Sequence, residues 1–162
     1  MHARDLMTND AMAEAPKNSA PVIILGIDGS DGANRALAWC RDNAPKLGAE
    51  VLAVHVYSLA AFALPYYDVP AVAQAAVSTG VDLAKALDTE WTAPLAGIPH
   101  RTALVEGPTA RSLLDIAKRE NAAMIVVGSR GHGGFAELLL GSVSHHLTHH
   151  ATCPVLVVPA RR

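Results

Sequence analysis

A run of glycines in the last third of the chain is the stretch best suited to chemistry. Gly128 and Gly131 follow an apolar run, and Gly141 stands directly before Ser142. Glycine has no Cβ, so backbone N–H groups can approach a ligand closely, and the N-terminus of a helix attracts anions through its unpaired N–H groups. Arg130 adds a positive charge inside the same stretch. The pattern predicts a loop that binds phosphate.

Three better-known motifs do not account for this loop. No lysine follows any of its glycines, so the Walker A motif of P-loop ATPases is absent. The segment Gly26-Ile27-Asp28-Gly29 has the wrong spacing for the dinucleotide fingerprint, which disfavours an NAD-linked dehydrogenase. Val127 stands where a nucleophile elbow centred on Ser129 needs glycine. We therefore expect Ser129 to be a hydroxyl beside phosphate, and we predict no catalytic residue.

Composition narrows the class of protein further. The chain has 162 residues, of which 51% are hydrophobic, which suits one domain with a full core. A net charge of −2 disfavours binding to nucleic acid or to an anionic membrane. Cys40 and Cys153 have neither disulfide-framework nor zinc-ligand spacing, which favours a reducing cytoplasm. These features predict a cytoplasmic protein with no nucleic-acid or membrane partner.

The two ends of the chain are expected to differ in order. Residues 1–20 mix charged, amide and small side chains without the apolar core of an export signal, so we expect a disordered arm there. Residues 21–160 then form the folded domain. Its most apolar stretch, Val51 to Leu64, is too short to cross a membrane.

Strands and helices alternate along this domain. Strands are predicted at Val22–Leu25, Val51–Val56, Arg101–Val105, Met124–Val127 and Pro154–Pro159, and helices at Asp31–Leu47, Ala71–Ala93, Pro108–Ala117 and Ser142–Ala151. This alternation predicts an α/β fold with one doubly wound, five-stranded, mainly parallel sheet. With strand order 3-2-1-4-5, the first and fourth strands are neighbours, and ligands bind at their carboxyl ends. Asp28 and the Gly128 loop would then face each other.

Five segments together resemble one family. They are Gly26-Ile27-Asp28-Gly29-Ser30, His55-Val56, Glu106-Gly107, the long pattern Gly128-x-x-Gly131 with nine residues before Gly141-Ser142, and Cys153 to Val158. In these segments the sequence resembles the universal stress protein family, in its nucleotide-binding branch, over about Val22 to Val158. The resemblance implies a Rossmann-like fold of the adenine nucleotide alpha hydrolase-like type.

The resemblance also implies a ligand, its contacts and a quaternary structure. ATP with magnesium would bind with its adenine near Ile27, Asp28 and the Val56 backbone, and with its phosphates on Gly128, Ser129, Arg130, Gly131, Gly141, Ser142, Val143 and Ser144. A homodimer would form through the last strand, Pro154 to Pro159. The implied function is that of a stress-response sensor or adaptor with an unknown protein partner.

Several alternatives stay open at this stage. Asp28 could contact adenosine or magnesium, or it could only cap a turn while the glycines allow tight packing. The protein could hydrolyse ATP slowly or phosphorylate itself, although the loop offers no general base beyond Asp28. It could also be a dimeric scaffold that binds cyclic AMP or no nucleotide.

Histidines are concentrated near the end of the chain. His145 with His149, and His146 with His150, are four residues apart on one predicted helix, a spacing that can bind a metal if further ligands are present. No further ligand is evident in the sequence, so a solvated or interface helix end is expected and no metal site is predicted.

Overall fold

The structure is a computed structural model that describes residues 20–58, 80–131 and 140–159. Five strands form one sheet: β1 (Val22–Gly26), β2 (Glu50–Tyr57), β3 (His100–Glu106), β4 (Met124–Gly128) and β5 (Val155–Val158). All four neighbouring pairs are parallel, in the order β3-β2-β1-β4-β5. The predicted α/β class and strand order are confirmed. The predicted disordered arm, apart from residue 20, lies outside the described residues.

Helices cover both faces of this sheet. They are α1 (Asp31–Asn43), α2 (residues 80–86, continuing into a π-helical turn at Leu87–Trp91), α3 (Thr109–Arg119) and α4 (Ser142–His150), with short 3₁₀ turns at Pro45–Leu47 and Ala93–Leu95. One core lies between the sheet and α1 together with Leu87 and Leu95; the other lies between the sheet and the pair α3 and α4. The central strand β1 is therefore buried on both sides, as its continuous apolar run predicts.

The first helix is shorter than predicted. It ends at Asn43, not at Leu47, because Pro45 has no backbone N–H with which to continue the helical hydrogen bonds. The chain makes a 3₁₀ turn instead, and Leu47 is 53% exposed. The predicted end of this helix at Leu47 is therefore wrong.

The second helix ends in a way that the sequence pattern does not predict. Of its predicted span, residues 71–79 lie outside the described part of the chain. From Leu87 to Trp91 the helix widens into a π-helical turn, and the buried Thr92 hydroxyl donates to the Leu87 carbonyl at 2.7 Å, five residues back. Such turns place a side chain where a regular helix would not. Here that side chain is Trp91.

The last strand is a sheet edge, as predicted, but Pro154 and Pro159 lie outside it. All four of its residues are partly buried. Within the described ranges, no helix is long and apolar enough to span a membrane.

Candidate ligand-binding site

A cavity of about 480 Å³ lies at the carboxyl ends of β1 and β4. This volume is within the usual range for small-molecule sites, about 300–1,000 Å³. All eleven residues that the sequence assigns to a site line this one cavity: Ile27, Asp28, Val56, Gly128, Ser129, Arg130, Gly131, Gly141, Ser142, Val143 and Ser144. The fold thus brings the carboxyl ends of β1, β2 and β4 together with the start of α4. Their roles as ligand contacts stay predictions.

Other lining residues were not identified from the sequence. They are Gly26, Ser30, Ala33, Val54, Thr109, Leu113 and Val127. Most are apolar or small, and nothing in their type distinguishes them from core residues. Val54 is the one position with a usable signal, since it lies two residues before Val56 and so shares its face of β2. The apolar side chains among them, Ala33, Val54, Leu113 and Val127, give the cavity an apolar wall.

One end of the cavity is suited to an anion. The helix α4 begins there, and its N-cap, Gly141, has no side chain to accept from the first-turn N–H groups. Such N–H groups carry partial positive charge. Arg130 lies beside them, and its Nε atom is buried without a hydrogen-bond partner among the described residues. Buried donors are normally paired, so this guanidinium is placed to donate to an anionic ligand.

The loop at this end is held by its own hydrogen bonds. The Ser144 hydroxyl is buried and has two carbonyl acceptors in reach, Ser129 at 3.1 Å and Gly141 at 3.0 Å. The Gly141 N–H also donates to the Ser129 carbonyl, at 2.7 Å. Because the single hydroxyl proton of Ser144 is already used inside the protein, its backbone N–H is the group left to donate to a ligand.

Two glycines of the loop serve different purposes. A Cβ on Gly128 would collide with the backbone of Gly32 in α1, so this position must be glycine for the helix to pack on the end of β4. Close packing, the alternative role for the glycines, therefore applies to Gly128. Among the described residues, a Cβ on Gly131 would meet only the side chain of Asp28, at 2.7 Å from Oδ2. Gly131 lies at the cavity, and within the described part of the chain no backbone packs against it in the way that Gly32 packs against Gly128.

Asp28 caps the turn that leads from β1 into α1. Its Oδ1 atom accepts from the Ser30 N–H at 3.0 Å, and the Ser30 hydroxyl in turn accepts from the Ala33 N–H at 3.2 Å. The turn-capping role is thus present, and it leaves a ligand role open because Asp28 also lines the cavity. Among the described lining residues, Asp28 carries the one carboxylate.

Trp91 and His55 support this turn from behind. The His55 ring nitrogen Nδ1 is 2.8 Å from the Ile27 carbonyl, and the rings of His55 and Trp91 meet edge to face with centroids 4.9 Å apart. The Trp91 ring also packs on Gly29, whose φ of 79° is in the left-handed region. Sequence reasoning missed Trp91, which is the last residue of the π-helical turn that periodicity does not predict.

Known proteins of one family match this sequence and fold. A family model described as the universal stress protein family matches residues 21–159. The chain belongs to the universal stress protein family. Among curated universal stress proteins, one from Thermus aquaticus is 37% identical over 137 residues, covering 84% of this chain and 96% of the relative. One from Mycobacterium tuberculosis is 38% identical over 151 residues, covering 93% of this chain and 48% of the relative.

The chain thus spans about half the length of the mycobacterial universal stress proteins that it matches. Among solved structures, a universal stress protein from Lactobacillus plantarum has a TM-score of 0.70 at 23% identity and shares the fold, over 86% of this chain and 97% of that one. A universal stress protein in complex with cAMP is 26% identical, with a TM-score of 0.56, over 86% of this chain and 97% of that one.

A metal ion held by protein side chains alone needs several ligands close together. In residues 20–58, 80–131 and 140–159, no group of three or more His, Cys, Asp or Glu side chains is placed to hold a metal ion.

Proposed function

We propose that this universal stress protein binds ATP, with magnesium, in the cavity at the carboxyl ends of β1 and β4. The proposal rests on one observation: one end of that cavity is suited to an anion. The N-terminus of α4, which has no side-chain cap, lies there beside the buried Nε of Arg130. Both groups attract negative charge, and no acidic side chain among the described lining residues lies on α4 to oppose it.

The assignment of the ligand's parts follows the chemistry of the walls. The phosphates would lie on the backbone from Gly128 to Gly131 and on the first turn of α4, whose N–H groups point toward the anion. The base would lie near Ile27 and against the apolar side chains of Val54, Val56 and Leu113, which exclude water from an aromatic ring.

Asp28, the one carboxylate among the described lining residues, is suited to bind magnesium. Mg²⁺ in nucleotide sites is bound through one or two carboxylates together with phosphate oxygens and water. Asp28 would supply that carboxylate, because a carboxylate in a phosphate site needs a cation between the two negative groups. When bound, the ion would neutralise phosphate charge, while Ser30 keeps the Asp28 side chain oriented.

Nucleotide binding, as distinct from ATP in particular, has support from the related structure in complex with cAMP. A site made mostly of backbone donors does not count phosphates closely. We favour ATP because the anion-binding groups extend from Gly128 through Arg130 to Ser144, which is more than one phosphate requires. Cyclic AMP is the competing outcome of the test below.

The role we propose is that of a cytoplasmic stress-response sensor or adaptor, not an enzyme with rapid turnover. A general base must reach the attacking water, and Asp28, the one carboxylate among the described lining residues, is the group that we assign to magnesium. Slow hydrolysis is the most that this arrangement supports.

The same proposal includes a homodimer through β5. This strand is a sheet edge with partly buried Val and Leu side chains on both faces, and flanking prolines mark its ends. Pairing with a second copy would cover an exposed apolar edge.

Identification of the nucleotide that the purified protein carries tests the proposal. The protein is denatured by heat, and the released small molecules are identified and quantified by mass spectrometry. We expect ATP at close to one equivalent per chain, or the same stoichiometry after incubation with ATP and magnesium and removal of the excess. Cyclic AMP alone, or no nucleotide under either condition, would contradict it.

A further inference from the structure

Four histidine side chains occupy the last two turns of α4 and form two contacting pairs. The rings of His145 and His149 have centroids 4.5 Å apart and are tilted by 48°; those of His146 and His150 are 4.3 Å apart and tilted by 40°. All four side chains are exposed. The pairs lie on adjacent faces of the helix, away from the ligand cavity, and the proposed function gives them no role.

The spacing within each pair fits two ligands of one metal ion. A divalent ion lies about 2.1 Å from an imidazole nitrogen, and so about 3.2 Å from the ring centroid. Two rings bound at a right angle then have centroids about 4.5 Å apart, as in square-planar or octahedral coordination. The two observed separations, 4.5 and 4.3 Å, match this value.

The helix holds these rings at a fixed separation. Leu147, between the two pairs, is fully buried in the core beneath α4. The Thr148 hydroxyl donates to the His145 carbonyl at 2.8 Å and adds to the hydrogen bonds of the last turn. Because the backbone is anchored, the second imidazole of each pair is already near an ion that the first has bound, which is the physical basis of chelation.

We propose that each pair binds one divalent transition-metal ion, with water at the remaining positions. Imidazole is a good ligand for Cu²⁺, Ni²⁺ and Zn²⁺, whereas Mg²⁺ and Ca²⁺ prefer oxygen. Two protein ligands suffice for such an exposed site, so the absence of a three-residue ligand group within the described ranges is consistent with it. The site differs in position and in ligand type from the one proposed for magnesium.

A matched set of double variants tests the proposal by isothermal titration of the tag-free full chain with Ni²⁺. In each variant two of the four helix histidines become glutamine. H146Q/H150Q keeps the His145–His149 pair, H145Q/H149Q keeps the other pair, and H146Q/H149Q keeps two histidines that are five residues apart and on different faces of the helix. Histidines elsewhere in the chain are the same in all four proteins.

We expect H146Q/H149Q to have no high-affinity Ni²⁺ site on α4. The wild type should bind two more Ni²⁺ ions with high affinity than this variant does, and each variant with one intact pair should bind one more than it does. In H146Q/H149Q the affinity of the helix should fall by about 100-fold, to that of a single imidazole. Titration with Mg²⁺ in the absence of nucleotide, at the concentrations used for Ni²⁺, should give no heat of binding.

Two results would overturn the proposal. One is equal Ni²⁺ affinity in H146Q/H149Q and H146Q/H150Q, because that would mean that histidine number and not pairing determines binding. The other is an unchanged ion count in the two variants that retain one pair, a comparison that stands even if H146Q/H149Q does not fold. Circular dichroism melts of each variant establish folding, which the exposure of all four side chains leads us to expect.

Discussion

Replacement of Gly128 by alanine should destabilise the fold, and replacement of Gly131 should not. The Cβ added in Gly128→Ala would overlap the backbone of Gly32, which cannot move without shifting α1. Overpacking of this kind costs about 1–3 kcal/mol of unfolding free energy. Because the obstacle here is backbone and not a side chain that can move, we expect Gly128→Ala to cost about 2–3 kcal/mol. For a chain of this length, each 1 kcal/mol lowers the Tm by about 2–4 °C. We therefore expect a Tm about 4–12 °C below that of the wild type.

The neighbouring substitution provides the control. In Gly131→Ala the new Cβ meets, among the described residues, the Asp28 carboxylate, which is a side chain and can rotate; losing its hydrogen bond from the Ser30 N–H would cost about 1 kcal/mol. Alanine also reduces the entropy of the unfolded chain, which offsets about 0.4–1 kcal/mol of that loss. Thermal melts followed by circular dichroism, without nucleotide, measure both variants. A wild-type Tm for Gly128→Ala, or an equal loss in Gly131→Ala, would refute this division of roles.

Four further predictions concern the loop, the core and the sheet edge. Ser144→Ala should lower the free energy of unfolding by about 1 kcal/mol, measured by urea denaturation, because the hydroxyl's hydrogen bond to the Ser129 or Gly141 carbonyl is lost; no change would mean that this bond does not hold the loop. Burial raises the pKa of the Cys40 thiol to about 12 from its ordinary 9.0, so iodoacetamide at pH 8 should leave Cys40 unmodified in the folded chain and alkylate it in urea. For the same reason the free energy of unfolding should fall as the pH rises from 9.0 toward about 12, less steeply in Cys40→Ala, and equal slopes would contradict this. Light scattering at micromolar concentration should give twice the mass of one chain, and a monomer would argue against pairing through β5.

The order of the sheet could be predicted because it depends on patterns that act locally and agree with one another. Continuous apolar runs such as Val22–Leu25 predict strands buried on both faces, and alternation with helices predicts parallel pairing. Once β1 and β4 are neighbours, the cavity at their carboxyl ends follows, and so does the convergence of Asp28 with the Gly128 loop.

What could not be predicted depends on contacts between distant residues. Nothing local to Gly128 shows that Gly32 will lie against it, so the sequence leaves close packing only as an alternative to ligand approach. Trp91 reaches Gly29 through a π-helical turn that periodicity does not reveal. The Ser144 hydroxyl is taken by the loop's own carbonyls, which only the folded geometry shows.

The helix boundary at Pro45 is a different case. The relevant chemistry is present in the sequence, since proline has no N–H, yet the apolar spacing through Leu47 predicts a longer helix than the one that forms. A proline inside a periodic segment should therefore end the predicted helix before it.

Calorimetric titration with ATP and magnesium, on Arg130→Gln beside a matched control, tests the central claim most directly. Arg41→Gln removes an equal charge from an exposed residue in the last turn of α1, far from the cavity and paired with Asp42. A hydrogen bond to a charged group contributes about 1.5–3 kcal/mol, so Arg130→Gln should weaken ATP binding by about 10- to 150-fold, while Arg41→Gln should bind as the wild type does. Equal affinity in all three proteins, with unchanged melts, would contradict the assignment of the phosphates to this end of the cavity.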